Sequence, residues 1–264
     1  MKVKKILTII TVCVVLAVTV GAVSYVGNWP VRYKKEFDKF FGSNWSWEKL
    51  EPTFDDNLGS GTNYRSGRFK GMSSGKSSGL VSHWGITCED DYYEVTDWAH
   101  KYNHKKYFPL FSKKWLNGKQ SLWYEFLDIA IEKSYLELEK RYIEDVIGAE
   151  YCEAIDMELQ YNTSPKKEFL KYLSKSNWLS VNTTVSELMS CDKHDFVIDI
   201  RLYDYQYEKL NKQQKEIVDK WFNDIESKLL DDFGDEASFY IYYNPNDDEE
   251  NVYRVEYFKG QMVE

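Results

Sequence analysis

Phe196-Val197-Ile198-Asp199-Ile200-Arg201-Leu202-Tyr203 is the stretch on which the fold turns. Branched apolar residues alternate with polar ones, which is the pattern of a strand with one face against a core. Upstream, Ala154-Ile155-Asp156-Met157-Glu158-Leu159-Gln160-Tyr161 alternates in period two and reads as a second strand with one wet face. Downstream, Asn211 and Gln214 form a capping box for a helix bearing Ile217, Val218, Trp221, Phe222, Ile225 and Leu229, ending near Gly234. Ser238 to Tyr243 and Val252 to Phe258 then flank the polar turn Asn244 to Asn251, a hairpin with an acidic tip. Between the first two strands, Ser164-Pro165 predicts a helix opening, with Ser164 as cap and Pro165 in the first turn, carrying Phe169, Leu170, Tyr172 and Leu173. The expected fold class is α+β, with a mainly four-stranded sheet covered on one face by helices.

Working back along the chain, Leu122, Phe126, Leu127, Ala130, Ile131, Tyr135, Leu138, Tyr142 and Val146 recur at helical spacing up to Gly148, a long amphipathic helix. Residues 81 to 120 are aromatic and irregular, with one strand expected near Tyr92-Tyr93-Glu94-Val95. Gly59 to Gly79 is rich in Gly and Ser and reads as a linker, because it has little apolar surface to offset ordering entropy. Tyr33, Phe37, Phe40 and Phe41 followed by Gly42 read as a short helix with its stop. These signals divide the chain into residues 1–30, a membrane-targeting segment; 31–80, a juxtamembrane helix and linker; and 81–264, one α+β domain.

No charge interrupts the run from Ile6 until Arg32, and the run follows the basic start Lys2, Lys4 and Lys5. Counted from Ile6 to Val26 it holds 21 residues, and at a rise of about 1.5 Å per residue it spans a ~30 Å hydrocarbon layer. It is expected to be a transmembrane signal-anchor, single-pass, with Tyr25 and Trp29 at the far interface. The alternative is a signal peptide, cut at the small residues Val20-Gly21-Ala22 or Ala22-Val23-Ser24, which leaves the rest secreted. Basic residues are nearly balanced across the segment, with Arg32, Lys34, Lys35 and Lys39 on its trailing side. The short basic tip before an apolar run places the large domain outside the cytoplasm.

Net charge is -9, and a nucleic-acid partner is not expected, since phosphate binding needs a basic face. Aromatic residues reach 17%, with 21 Tyr and 9 Trp; such side chains serve cores, wet interfaces and sugar platforms alike. Several motifs imitate active sites. Gly71-Met72-Ser73-Ser74-Gly75-Lys76-Ser77 has three residues between its glycines where a phosphate loop needs four. His100 and His104 stand one helical turn apart, but Lys101 occupies the place of the zinc-protease base. The acidic clusters at Asp55-Asp56, Glu89-Asp90-Asp91, Asp231 to Glu236 and Asp247 to Glu250 lack the alternating ligands of a calcium loop and read as solvated turns. No metal and no cofactor is implied.

Cys152 precedes the first strand and Cys191 the second. If those strands are parallel neighbours, both cysteines lie at one edge of the sheet, and a Cys152–Cys191 disulfide is expected in an exported compartment, against two unpaired buried thiols. On the same assumption the carboxyl ends of the strands come together, which makes Tyr161, Asn162, Tyr203 and Asp204 candidate ligand-binding residues. Trp45 and Trp47 offer a sugar-stacking pair or an aromatic cluster beside a helix.

Together these features favour a membrane-tethered extracytoplasmic interaction or accessory module without chemistry of its own, whose partners are the membrane and a protein or glycan. Two other readings stand beside it. One is an exported hydrolase acting on wall or surface polymer. The other is a membrane-anchored inhibitor or immunity protein that matches a basic partner by charge.

Overall fold

The computed structural model describes residues 2–26, 29–49, 53–55, 79–81, 83–96, 113–243 and 253–263. Most of the Gly/Ser-rich stretch, the phosphate-loop mimic, His100, His104 and the acidic hairpin tip lie outside those residues. The chain divides into two compact units, Met1–Glu125 and Phe126–Glu264, and the division falls within one helix.

In the first unit, α1 (Lys2–Val26) carries the uncharged run and is followed by α2 (Trp29–Arg32) and α3 (Lys34–Phe41). Gly42 ends α3 at φ +81°, a left-handed conformation open to glycine at no steric cost. Among the described residues no helix is long and apolar enough to cross a membrane. In α1 the described side chains run unbroken only from Thr8 to Gly21, so the transmembrane helix expected there rests on the sequence.

Three strands, β1 (Trp45–Lys49), β4 (His83–Cys88) and β5 (Asp91–Thr96), form an antiparallel sheet in the order β1-β4-β5. β2 (Thr53–Asp55) and β3 (Gly79–Val81) pair separately. Residues 83 to 96 are therefore not irregular but a hairpin, reversed at Glu89 and Asp90 with φ of 50° and 74°. Phe37, Phe40, Trp84, Ile86, Val95, Leu122 and Trp123 are fully buried in this unit. Phe37 packs on Trp45 at 5.1 Å and Phe41 on Tyr93 at 5.4 Å. The buried carboxylate of Glu36 meets Lys119, since a charge removed from water needs a partner.

The second unit holds a five-stranded sheet in the order β10-β9-β8-β7-β6, where one of four strands was expected. Its strands are β6 (Asp156–Tyr161), β7 (Phe196–Leu202), β8 (Phe239–Tyr243), β9 (Tyr253–Phe258) and the short β10 (Gln261–Met262). β10 exists because Lys259 and Gly260, at φ 50° and 71°, turn the chain back on β9. β7 and β8 are parallel, joined through α8 (Lys212–Phe233). β6 and β7 are antiparallel, which corrects the parallel pairing expected from the sequence. Their connection contains two helices, α5 (Lys167–Lys175) and α6 (Val185–Met189), not one. Ser164 does not cap α5, which starts after Lys166 without a side-chain cap, whereas Thr184 and Glu187 form a full capping box on α6.

Alternation gives the sheet two chemically distinct faces. Met157, Leu159, Phe196, Ile198, Ile200, Leu202, Phe239, Ile241 and Tyr243 make the core face, and all are buried. α8 covers it with Val218, Trp221, Phe222, Ile225 and Leu229, Phe222 stacking on Tyr243 at 4.4 Å. Each such side chain contributes roughly 1.5–3 kcal/mol on burial. α4 (Lys113–Leu138) continues as one wide helical stretch, Glu139–Glu144, before Gly148 stops it at φ +119°. Widening the turn alters the backbone ladder, and the Trp221 indole donates to the Tyr142 carbonyl at 2.7 Å.

Candidate functional site

Antiparallel pairing of β6 with β7 separates the residues expected to share a ligand. Tyr161 and Asn162 lie at the carboxyl end of β6, beside the start of β7, where the Asn162 N–H donates to the Asp195 carbonyl at 3.2 Å. Tyr203 and Asp204 lie at the opposite end, where Asp204 opens the short helix α7 (Asp204–Tyr207). The same reversal puts Cys152 and Cys191 at opposite ends of the strand pair, and both are free thiols, as are Cys13 and Cys88. Burial pushes the Cys152 thiol up to about 11, with Glu139 adding to the rise, and it raises Cys191 too. A disulfide between them is corrected by this geometry.

At the first end stands a cluster that the sequence concealed. The Tyr161 hydroxyl donates to Asp128 Oδ1 from α4. The other carboxylate oxygen, Oδ2, is enclosed and has no hydrogen-bond partner among the described residues. Burial raises Asp128 to about 7; the Tyr161 hydrogen bond opposes the shift and the charge of Glu132 adds to it. His194 packs edge-on to Tyr161 at 5.9 Å and stacks on Phe169 at 4.6 Å, and burial holds its imidazole below the ordinary value. At the second end, Tyr207 and Tyr243 both donate to Asp219, and burial followed by that carboxylate raises both phenols.

The outer face of the sheet carries a different chemistry. Asp156, Glu158 and Gln160 on β6 lie beside Arg201, Asp199 and Val197 on β7; Tyr240 and Tyr242 follow on β8, and the positions of Arg254, Glu256 and Phe258 on β9, with Arg254 paired with Tyr242 and Glu256 with Tyr240. The helix contacts described above all reach the core face instead. Arg201 grips Asp199 through Nε and Nη2, with Nε 2.8 Å from Oδ1, and Asp199 reinforces the arginine's positive charge. Arg201 also donates to the Tyr203 hydroxyl at 3.2 Å and lies 6.0 Å from the centre of the Tyr240 ring. Tyr203 stacks on the exposed Tyr205 at 5.7 Å and meets Tyr242 at 6.1 Å. The result is a ladder of tyrosines threaded by charged groups. Only Tyr205 of this group is exposed, the other rings and Arg201 being half-buried; Tyr and Arg at a surface are enriched at protein interfaces and give rigid contact area at small entropic cost.

The remaining motifs resolve into structural parts. Trp45, half-buried, donates its indole N–H to Asp38 at 2.9 Å while Phe37 packs on its ring, which ties it to α3. Asp232 accepts from Tyr142 at 2.7 Å and pairs with Arg141 at 3.0 Å. Among the described residues no group of three or more His, Cys, Asp and Glu is placed to hold a metal ion. Compared with family models, curated proteins and solved structures, the chain matches none.

Proposed function

We propose that this chain is a membrane-tethered extracytoplasmic interaction module: α1 anchors it in a bilayer, and the five-stranded sheet offers its tyrosine-lined outer face to a partner. The observation that carries the reading is the surface of α1. Ile6, Ile9, Ile10, Val12, Val14, Val15, Leu16, Val18 and Val20 are 52–65% exposed, and no charge interrupts them. A helix apolar all round belongs in hydrocarbon, which removes that surface from water and leaves every backbone group bonded within the helix. The leading Lys2, Lys4 and Lys5 support placement of the large domain across the membrane from them. The outer face supports a binding role, because its side chains are engaged with one another in a preformed array.

A fusion of alkaline phosphatase after Glu264, combined with a photo-crosslinking amino acid at Tyr242, tests the reading in cells. Expected are an active, exported phosphatase and one discrete adduct from position 242 that is missing from the control position Leu136 on α4. An inactive fusion removes the extracytoplasmic assignment. Equal labelling at both positions removes the interaction face.

A further inference from the structure

We infer that the outer face of the three-stranded sheet in the first unit is a second interaction surface. It receives a guanidinium side chain of a partner protein on the ring of Tyr92. The inference is independent of the tyrosine ladder, which belongs to the other unit. Pairing of β1, β4 and β5 places Glu48, Gly85 and Glu94 in one row across the sheet, with Thr87 and Tyr92 together in the next. Tyr92 leans across β4 at the point where Gly85 has no side chain to stop it. A Cβ there would stand 2.2 Å from the Tyr92 hydroxyl oxygen and 2.7 Å from a ring carbon. Gly85 is buried beneath, yet Tyr92 keeps 54% of its surface exposed. Among the described residues its ring has no aromatic or cationic neighbour, and its hydroxyl has no hydrogen-bond partner.

Charge complementarity names the occupant. Glu48 and Glu94 stand on either side of Gly85, roughly 10 Å apart at their Cα atoms, twice the spacing between strands. Both are exposed, and among the described residues neither has an ion pair or a hydrogen bond. Their field reaches the phenol between them: burial, then the charges of Glu94 and Glu48, push Tyr92 above its ordinary value. The other positions of that face are Ser46, His83, Thr87 and Thr96, so no lysine or arginine of the three strands shares it. A neutral ligand leaves both charges unmatched, and an ammonium presents a single compact point of charge. A guanidinium lies on an aromatic ring, offers N–H donors at its edges to carboxylates on both sides, and sheds its weak hydration readily. It is the group that meets Tyr92, Glu48 and Glu94 together.

The test uses the full chain in zwitterionic phosphatidylcholine nanodiscs at physiological ionic strength. A photo-crosslinking amino acid replaces the exposed Thr87, which pairs with Tyr92, or, as control, Leu136, which is 62% exposed on α4. Three biotinylated twelve-residue probes are compared, alternating Arg-Ser, Lys-Ser and Glu-Ser. The Arg-Ser probe is expected to label position 87 at least about tenfold more than position 136, and more than the Lys-Ser probe does. Glu48→Gln combined with Glu94→Gln should lower that yield about tenfold with an unchanged thermal midpoint, because both side chains are exposed. Tyr92→Leu should abolish the preference for Arg-Ser over Lys-Ser, and Tyr92→Phe, which keeps a ring over Gly85, should retain it. Equal labelling at the two positions, a yield indifferent to the glutamine pair, or preferential labelling by Glu-Ser overturns the inference. The tyrosine ladder is read separately, from the cellular adduct at Tyr242.

Discussion

Tyr161, the last residue of β6, donates its hydroxyl to Asp128, on a helix 33 residues earlier in the chain. One side-chain bond thus ties α4 to the edge of the sheet, and it holds a carboxyl group in a place where ionisation is disfavoured.

That placement makes stability depend on pH. Asp128 is raised from 3.8 to about 7, so its contribution is fully present below pH 3.8 and is lost as pH rises through 7. Tyr161 and Glu132 are the titratable groups that act on it, and His194 packs on Tyr161. Asp128→Asn is expected to stabilise the chain at pH 8 by on the order of 2 kcal/mol and to do little at pH 4. Urea unfolding of both proteins at the two pH values measures this. A destabilised variant at pH 8 would contradict it.

The four cysteines are expected to remain thiols. Alkylation under denaturing, non-reducing conditions should label Cys13, Cys88, Cys152 and Cys191, and native alkylation should leave the buried Cys88 and Cys191 unlabelled. A tryptic fragment linking Cys152 to Cys191 would contradict the antiparallel order of β6 and β7.

Trp221→Phe keeps an aromatic ring against Phe222 but removes the donor to the Tyr142 carbonyl. An unfolding free energy lower by about 1–3 kcal/mol is expected, the cost of a buried acceptor left unpaired. Denaturant titration with an unchanged m-value checks it.

Asn211→Ala should cost about 1 kcal/mol by removing the acceptor for the Gln214 N–H at the start of α8. Asn211→Asp, which keeps that acceptor, should recover most of the loss in the same titration.

The capping box on α8 was legible because both of its partners lie within one turn of chain. So were the strands around Ile198 and Ile241, whose alternation survives whatever packs on them. The orientation of β6 against β7 was not legible: α5 and α6 intervene, and a connection of two helices can return the chain in either direction. The hairpin of β4 and β5 was masked by Gly85, whose missing side chain breaks the alternation of Trp84, Ile86 and Cys88. Its reason is visible only in space, since a Cβ there would lie 2.2 Å from the Tyr92 hydroxyl oxygen. Of the candidate site, Tyr161 and Tyr203 were found by a wrong assumption about strand direction, and they belong to different clusters. Asp128 gave no signal at all, because its shifted acidity comes from enclosure, which no spacing in the chain encodes.

The tether is tested most directly by washing membranes of cells expressing the full chain with alkaline carbonate and measuring the intact mass of what remains in the pellet. The account predicts a chain that stays with the lipid and begins at Met1. A chain released to the supernatant with its N-terminus intact, or one that starts near Val23 or Tyr25, would contradict it.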